Sequence, residues 1–289
     1  MNLQGVFTAL VTPFSKGKVD YAKLKDILAM QVESGVAGIV PMGTTGESPT
    51  LSPNEHLRVI EATVNAVKGK CLVIAGTGAN STVEAIELTR EAKKAGVDAT
   101  LQVTPYYNKP SQEGLYRHFS IIAEQTELPM VLYNVPGRSV TPIAIETIKR
   151  LSTNPHIIAV KEAGGSVERV SQILDVCDLT VISGDDALTL PMISVGATGV
   201  ISVASNVIPK EMKQLVDLAL SGDFKAALEI HKKYYRLFSD MFIETNPVPV
   251  KAAMSMMGLM NEEYRLPLSP LAKANKEILK NTLESVNIL

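Results

Sequence analysis

The fold of this chain is decided by one short stretch, Ile157-Ile158-Ala159-Val160-Lys161-Glu162-Ala163-Gly164-Gly165. Four apolar residues without a polar residue between them are typical of a strand that is buried on both faces of a parallel sheet. The lysine that ends the run either extends to water or lies in a pocket that favours its neutral amine. The stretch by itself leaves both interpretations of Lys161 open.

Outward from this strand, apolar runs of strand length alternate with segments of helical periodicity. The other predicted strands lie at 5–13, 38–43, 72–76, 99–104, 130–134, 180–183 and 200–203. The predicted helices lie at 21–33, 53–68, from 81 onward, 112–125, 142–151, 167–176, 188–195 and 210–220. Ser52-Pro53-Asn54-Glu55 and Ser81-Thr82-Val83-Glu84 have the pattern of capping boxes, which begin helices.

Eight strand–helix alternations predict an α/β fold, the (β/α)8 TIM barrel, rather than an open doubly wound sheet. An open sheet more often has five or six strands and a nucleotide fingerprint, whereas residues 76–81 contain only two of its glycines. After residue 221 the alternation stops, and further helices are predicted at 223–243, 249–257 and 272–286. We therefore expect a catalytic barrel at 1–221 and a C-terminal helical extension at 222–289.

Composition excludes several functional classes. The 28 basic and 30 acidic side chains, with a net charge of −2, are spread along the chain, which argues against a nucleic-acid or membrane-binding patch. No apolar run approaches the roughly 18 residues of a membrane span. The first residues show no signal-peptide pattern, so we expect a cytoplasmic protein.

Cysteines and histidines give no sign of a metal or a disulfide. Cys71 and Cys177 form no C-x-x-C pair, so buried reduced thiols are expected. The four histidines show no metal-ligand spacing, and no metal site is expected.

Polar residues follow each apolar run, at the end where the strands of an eightfold barrel form the active-site mouth. They are found at 12–13, 43–47, 76–80, 104–107, 133–138, 161–165, 183–186 and 202–206. Structural roles stay open for several of them. Tyr106, Tyr107 and Tyr133 suit a barrel rim, Arg138 suits a surface, and 43–46 suits a tight turn. We interpret Asp185-Asp186 as an acidic pair at a helix N-terminus.

A neutral lysine amine at such a mouth can attack a carbonyl and form an imine, which needs no cofactor. The apolar strand withholds water from Lys161 and so favours the neutral amine. Glu162 is predicted to point to the opposite face of the strand. Proton carriers are available in Thr45, Tyr133 and Tyr107. The backbone of Thr44-Thr45 and the Arg138 guanidinium are available to hold a carboxylate.

Five motifs in order resemble the dihydrodipicolinate synthase family, within the pyruvate-dependent class I aldolase group. They are Gly-Thr-Thr-Gly-Glu at 43–47, Thr-Pro-Tyr-Tyr at 104–107, Tyr-Asn-Val-Pro-Gly-Arg at 133–138, Ile-Ala-Val-Lys-Glu-Ala at 158–163 and Ser-Gly-Asp-Asp at 183–186. The resemblance runs nearly end to end, through 246–251 and 265–268. It implies the 4-hydroxy-tetrahydrodipicolinate synthase reaction of lysine and diaminopimelate biosynthesis.

That resemblance also implies a role for each matching residue. Lys161 would form an imine with pyruvate, whose enamine then attacks the aldehyde of L-aspartate 4-semialdehyde. Tyr133 would move protons through Thr44 or Thr45 and Tyr107. The family takes the tyrosine matching Tyr107 from a neighbouring subunit, which implies a homo-oligomer, usually a dimer of dimers. The residues matching substrate-binding positions are Thr45, Arg138, Gly184 and Ile201.

Other functions share some of these features, and one set of residues matches a regulatory site. N-acetylneuraminate lyase and the keto-deoxy-sugar-acid aldolases resemble the same barrel but lack an arginine matching Arg138. A catalytically idle keto-acid-binding barrel is disfavoured, because all the reactive positions are filled. Residues matching a family lysine-effector site are Ser48, His56, Asn80, Glu84 and Tyr106. Pro49 and Pro53 depart from that site's usual pattern, so we predict weak or absent inhibition by lysine.

Overall fold

The computed structural model describes residues 1, 3–67 and 69–289, and it contains a closed barrel of eight parallel strands. The strands are β1 Gly5–Ala9, β2 Phe14–Ser15, β3 Lys18–Val19, β4 Gly38–Val40, β5 Leu72–Gly76, β6 Ala99–Val103, β7 Met130–Asn134, β8 Ile157–Glu162, β9 Thr180–Ser183 and β10 Gly199–Ser202. β2 and β3 form a small antiparallel hairpin, and the other eight close the barrel where β1 pairs with both β4 and β10. The predicted TIM barrel is confirmed.

Helices follow the barrel strands and continue beyond the last one. They are α1 Tyr21–Glu33, α2 Pro53–Val67, α3 Thr82–Ala95, α4 Gln112–Thr126, α5 Pro136–Ser139, α6 Ile145–Leu151, α7 Glu168–Val176, α8 Thr189–Ser194, α9 Pro209–Leu220, α10 Phe224–Asp240, α11 Val248–Met256 and α12 Lys273–Ser285. Short 3-10 turns lie at Ser48–Thr50 and Ala204–Asn206. The three predicted C-terminal helices are present as α10, α11 and α12. Residue 68, where the second helix was predicted to end, lies outside the described residues.

Capping side chains explain where α2 and α3 begin. Glu55 N–H donates to Ser52 Oγ (3.3 Å), while the Glu55 carboxylate accepts from Ser52 N–H (3.1 Å), so the first capping box is complete. Ser81 Oγ accepts from Glu84 N–H (3.5 Å) at the start of α3. These bonds satisfy amide groups that have no partner within the helix.

Several boundaries differ from the prediction, and at two of them side chains take the place of helical or strand partners. The segment predicted as helix from 142 becomes helical only at Ile145. Before it, Ile143 N–H donates to the Asn134 side chain (2.9 Å), and the Ile143 carbonyl accepts from Arg169 (2.8 Å). The first strand ends at Ala9, not 13, and beyond it Val11 N–H donates to the Asn206 side chain (3.3 Å) instead of to a neighbouring strand.

The core lies inside the barrel and between the barrel and its helices. Ala159 and Val160 on β8 are fully buried, as predicted for a strand covered on both faces. The cysteines are free but only half-buried, which corrects the expectation of full burial. No helix in the described ranges is long and apolar enough to cross a membrane.

Candidate active site

Lys161 lies at the carboxyl end of β8, directly beside Tyr133 on β7. The two residues are register partners in the parallel ladder, and Lys161 Nζ lies 4.2 Å from the centroid of the Tyr133 ring. Lys161 is only 6% exposed, and within the described ranges its amine forms no ion pair with a carboxylate. The alternative of a solvated strand-end lysine is therefore wrong. Its amine is buried against an aromatic face.

Gly184 has no room for a side chain because the Lys161 stem and Ala163 occupy the space. A Cβ built on Gly184, at the end of β9, would lie 3.0 Å from Lys161 Cε and 2.7 Å from Ala163 Cβ. Glu162 points to the other face of the strand, where it bonds to Arg169 of α7, as predicted from strand alternation. The strand thus places the Lys161 amine on the inner face and the Glu162 carboxylate on the outer face.

A cavity of about 140 Å³ surrounds the lysine at the barrel mouth. Its lining includes most of the predicted catalytic and substrate-binding residues, namely Thr44, Thr45, Tyr133, Arg138, Lys161 and Gly184, and also Gly43 and Asp185. A volume of this size admits a molecule of a few heavy atoms, and hydroxyl, phenol and guanidinium groups converge on it. The structure therefore brings Lys161, Tyr133, both threonines, Arg138 and Gly184 to one space.

Two residues of the C-terminal extension complete the cavity wall, and sequence reasoning did not assign them to it. Phe242 and Asn246 both line the cavity. Asn246 Nδ2 donates to Thr45 Oγ1 (3.0 Å), and the Asn246 carbonyl accepts from Arg138 Nη2 (3.1 Å). Because the amide already donates to Thr45 Oγ1, the Thr45 hydroxyl hydrogen is free to point elsewhere. The motif at 246–251 signalled the family, but not this contact.

A second cavity of about 220 Å³ adjoins the first, with Gly43, Thr44, Tyr133 and Arg138 among the lining residues that the two share. Ser48 and Tyr106 of the predicted effector set line it. The other three have different surroundings. His56 is buried with Nε2 at 2.8 Å from the Gly76 carbonyl, Asn80 donates to the Tyr106 carbonyl, and Glu84 lies in the first turn of α3.

Tyr107 and Ile201 lie outside both cavities in the described part of the chain. Tyr107 is 92% exposed with a φ of +74°, so its ring is on the surface of its own subunit. Ile201 is buried in β10, as a register partner of Phe7 on β1. Neither residue completes the cavity around Lys161 within this chain.

The acidic pair at 185–186 divides into two different roles. Asp185 accepts from the N–H groups of Ala187 (2.9 Å) and Leu188 (3.2 Å), the turn before α8, as predicted for a helix N-terminus. Asp186 instead accepts from the N–H groups of Val203 (3.1 Å) and Ala204 (2.9 Å), after β10. Burial is the main cause that raises the pKa of Asp186 to about 6. The predicted helix role is wrong for Asp186.

A buried ion pair fixes the 43–47 loop to the extension. Glu47 and Lys251 are fully buried and bonded to each other, and the Lys251 amine lies 4.2 Å from the Phe14 ring centroid. Burial lowers the Lys251 pKa, although Glu47 opposes this. The backbone N–H of Arg265 also donates to Glu47 (3.3 Å). The guanidinium of Arg265 donates to the Glu55 carboxylate and thereby lowers the Glu55 pKa to about 2.

Comparison with known proteins agrees with this geometry. The Dihydrodipicolinate synthetase family matches residues 2–286. A 4-hydroxy-tetrahydrodipicolinate synthase of Methanococcus maripaludis is 52% identical over 99% of this chain and 100% of its own. The Pelobacter propionicus enzyme of that name is 50% identical over 99% of both chains.

Solved structures of related enzymes also match this chain over nearly its whole length. The 4-hydroxy-tetrahydrodipicolinate synthase of Methylacidiphilum fumariolicum SolV superposes with a TM-score of 0.98 at 52% identity, over 99% of this chain and 96% of the other. Dihydrodipicolinate synthase from Aquifex aeolicus gives 0.98 at 46% identity, over 99% of both chains.

An eightfold barrel with a buried lysine and a tyrosine at its mouth defines a Schiff-base-forming lyase of the class I aldolase type. Among such enzymes, this chain belongs to the dihydrodipicolinate synthetase family.

Proposed function

We propose that this protein condenses pyruvate with L-aspartate 4-semialdehyde, the 4-hydroxy-tetrahydrodipicolinate synthase reaction of lysine and diaminopimelate biosynthesis. One observation carries the proposal. The buried amine of Lys161 lies 4.2 Å from the Tyr133 ring centroid, in a cavity that Arg138 also lines. An amine, a phenol and a guanidinium there match the needs of an imine, a proton carrier and a second, anionic substrate.

The reaction begins when Lys161 Nζ attacks the C2 carbonyl of pyruvate and water leaves, which forms an imine. Loss of a methyl proton gives an enamine, whose carbon attacks the aldehyde of the second substrate. The substrate's amine then attacks C2, closes the ring and displaces the lysine. Tyr133 donates and accepts protons in these steps, relayed by the hydroxyl groups of Thr44 or Thr45 and Tyr107.

Binding roles are divided between the two substrates. Thr45 is the proposed contact for pyruvate, and Gly184 leaves room for the lysine stem and the ligand. Ile201, which is buried in β10 outside both cavities, receives no contact with pyruvate in this proposal. Arg138 binds the carboxylate of the semialdehyde, because a guanidinium offers paired donors to a carboxylate. This division accounts for the preference for an anionic aldehyde over a polyhydroxylated one.

We also propose a cytoplasmic homo-oligomer, a dimer of dimers in which Tyr107 completes the site of a neighbouring subunit. Its 92% exposure in a single chain supports this proposal. Residues 1–221 form the catalytic barrel of each subunit, and residues 222–289 form the extension. No cofactor takes part in the proposed reaction.

Weak or absent inhibition by lysine is part of the same proposal. The effector positions Ser48, His56, Asn80, Glu84 and Tyr106 are filled, but His56 is buried and bonded to the Gly76 carbonyl, which leaves it few contacts for an effector. Turnover measured with millimolar lysine is expected to match turnover without it, and strong inhibition would contradict the proposal.

A comparison of aldehydes tests the proposed function. The protein is assayed with pyruvate and either aspartate semialdehyde or sugar-derived aldehydes, and faster turnover of the semialdehyde is expected. Arg138→Ala should reduce use of the semialdehyde by roughly a hundredfold, while Arg117→Ala, a surface arginine paired with Glu113, should not. Better turnover of the sugar aldehydes would replace this proposal with a sugar-acid aldolase.

A further inference from the structure

Glu162 follows the reactive lysine, yet it lies on the opposite face of β8 and has no part in the proposed chemistry. Its carboxylate is fully buried and accepts four hydrogen bonds. Asn134 Nδ2 donates to both oxygens (2.8 and 2.9 Å), Gly164 N–H donates to Oε1 (2.7 Å), and Arg169 Nε donates to Oε2 (3.0 Å). A buried carboxylate whose two oxygens both accept hydrogen bonds is held in one position.

The partners of Glu162 reach the loop that carries Arg138. Asn134 Oδ1 accepts from Ile143 N–H (2.9 Å), and Arg169 Nη2 donates to the Ile143 carbonyl (2.8 Å). Both backbone groups of Ile143 are therefore held by side chains that bond to Glu162. Residues 135–143 between β7 and this point include Arg138.

Gly164 has to be glycine for this network to form. A Cβ at Gly164 would lie 2.6 Å from Glu162 Oε1 and 3.3 Å from Asn134 Nδ2. Gly164 thus helps to enclose the Glu162 carboxylate on the face of β8 opposite Lys161. The backbone ladder between β7 and β8 already sets the Tyr133–Lys161 register, so the side-chain network adds restraint to the loop and not to the lysine.

We propose that Glu162 is a positioning residue for the second substrate. Through Asn134 and Arg169 it fixes the 135–143 loop, and so places the Arg138 guanidinium where it binds the carboxylate of the incoming aldehyde. This inference rests on the proposed function, because it assigns a structural cause to the specificity of Arg138. The proposal predicts different effects on the two substrates. Loss of Glu162 weakens binding of the aldehyde and leaves binding of pyruvate unchanged.

Glu162→Gln tests the proposal directly. In this variant the NH2 group of the glutamine would face the Asn134 Nδ2 donor, so that two donors meet. The negative charge that faces Arg169 would also be lost. The KM for aspartate semialdehyde should rise about tenfold, while the KM for pyruvate and the yield of borohydride-trapped pyruvate on Lys161 stay within about twofold of wild type. Glu168→Gln, an exposed neighbour at the start of α7, is the matched control and should change neither constant.

Two further variants keep the test decisive if Glu162→Gln does not fold. Arg169→Gln removes the bonds to Glu162 and Ile143 from a position that is 20% exposed, and it should raise the same KM. Arg169→Lys, which keeps the charge, should recover part of it. In an Arg138→Ala background the Glu162 or Arg169 change should add nothing, since both act through Arg138.

The outcomes distinguish a failure of the role of Glu162 from a failure of the proposed function. Equal rises in both KM values, no rise in either, or a penalty that adds to that of Arg138→Ala would overturn the role of Glu162. If wild-type protein itself traps no pyruvate on Lys161, the proposed function fails instead.

Discussion

Each residue from 161 to 164 has a separate physical task. Lys161 faces the cavity beside Tyr133, and Glu162 faces the helices behind the strand. Ala163 lines the cavity, and its Cβ lies where a side chain on Gly184 would collide with it. Gly164 gives its N–H and its missing side chain to the Glu162 carboxylate. The side-chain period of two along a strand separates the chemical group from the supporting group.

Asp186 gives the protein a predictable pH dependence. Its pKa rises from 3.8 to about 6 in the fold, with burial as the main cause. The folded state thus binds its proton more tightly than the unfolded state, so stability falls as the pH rises between these values. Asp186→Asn removes this ionisation. Relative to the variant, wild type should lose roughly 3 kcal/mol of unfolding free energy between pH 3.5 and 6.5.

Urea denaturation of both proteins across that pH range provides the measurement. Asp185→Asn is the control, because Asp185 is only half-buried in the turn before α8. Parallel stability profiles for wild type and Asp186→Asn would show that Asp186 ionises normally in the fold.

Some site residues were predictable from sequence and others were not, for a physical reason. Lys161 and Tyr133 lie near the carboxyl ends of β8 and β7, and Arg138 lies in the short α5 turn after β7, so the barrel topology alone places them at the mouth. Asn246 lies 201 residues from Thr45, its hydrogen-bond partner, in a segment that does not belong to the strand–helix alternation. Its position depends on how the extension packs, which periodicity does not encode.

At the scale of elements, the 43–47 loop and α11 act as one unit because of the Glu47–Lys251 pair. Both side chains are fully buried, so removal of one partner leaves an uncompensated charge in the core. Lys251→Met should lower the free energy of unfolding by about 3–5 kcal/mol. The double variant Glu47→Gln, Lys251→Met should recover much of that loss, since neither charge then remains.

Chemical denaturation of the two single variants and the double variant measures this coupling as a double-mutant cycle. Lys280→Met, a control in a half-exposed pair with Glu284 on α12, should change stability by well under 1 kcal/mol. Additive effects of the Glu47 and Lys251 substitutions would mean that the pair is not a unit.

Long elements were predicted well and short ones were missed. Uninterrupted apolar runs placed the eight barrel strands, capping boxes placed the starts of α2 and α3, and α1 was predicted at its observed bounds. The turn α5 and the 3-10 segments at Ser48–Thr50 and Ala204–Asn206 span three or four residues, too few for a helical period to show. These missed segments adjoin the cavities, so the prediction of secondary structure was least complete around the active site.

At the scale of the whole molecule, the proposed site needs more than one chain. Tyr107 is exposed and lies outside both cavities of its own subunit, so the proposed role of Tyr107 is in the site of a neighbouring subunit. Tyr107→Phe should reduce turnover by roughly a hundredfold, as expected for a lost proton carrier. Tyr116→Phe, whose ring packs under Arg150, is the control and should retain activity.

Mixed oligomers test whether Tyr107 acts in a neighbouring subunit. When Tyr107→Phe and Lys161→Ala chains are co-expressed, a mixed pair has one site with an intact lysine and an intact tyrosine from its partner. Activity should therefore reappear in the mixture although each variant alone is nearly inactive. No recovery in mixtures whose mass shows assembled tetramers would contradict this arrangement.

Every step proposed for this enzyme depends on an imine between the buried amine of Lys161 and pyruvate. Treatment with pyruvate and borohydride, followed by digestion and mass spectrometry, locates the added mass. One reduced three-carbon unit is expected on the peptide that contains Lys161, and none in Lys161→Ala. An adduct on another lysine, such as Lys251, or no adduct at all would contradict it.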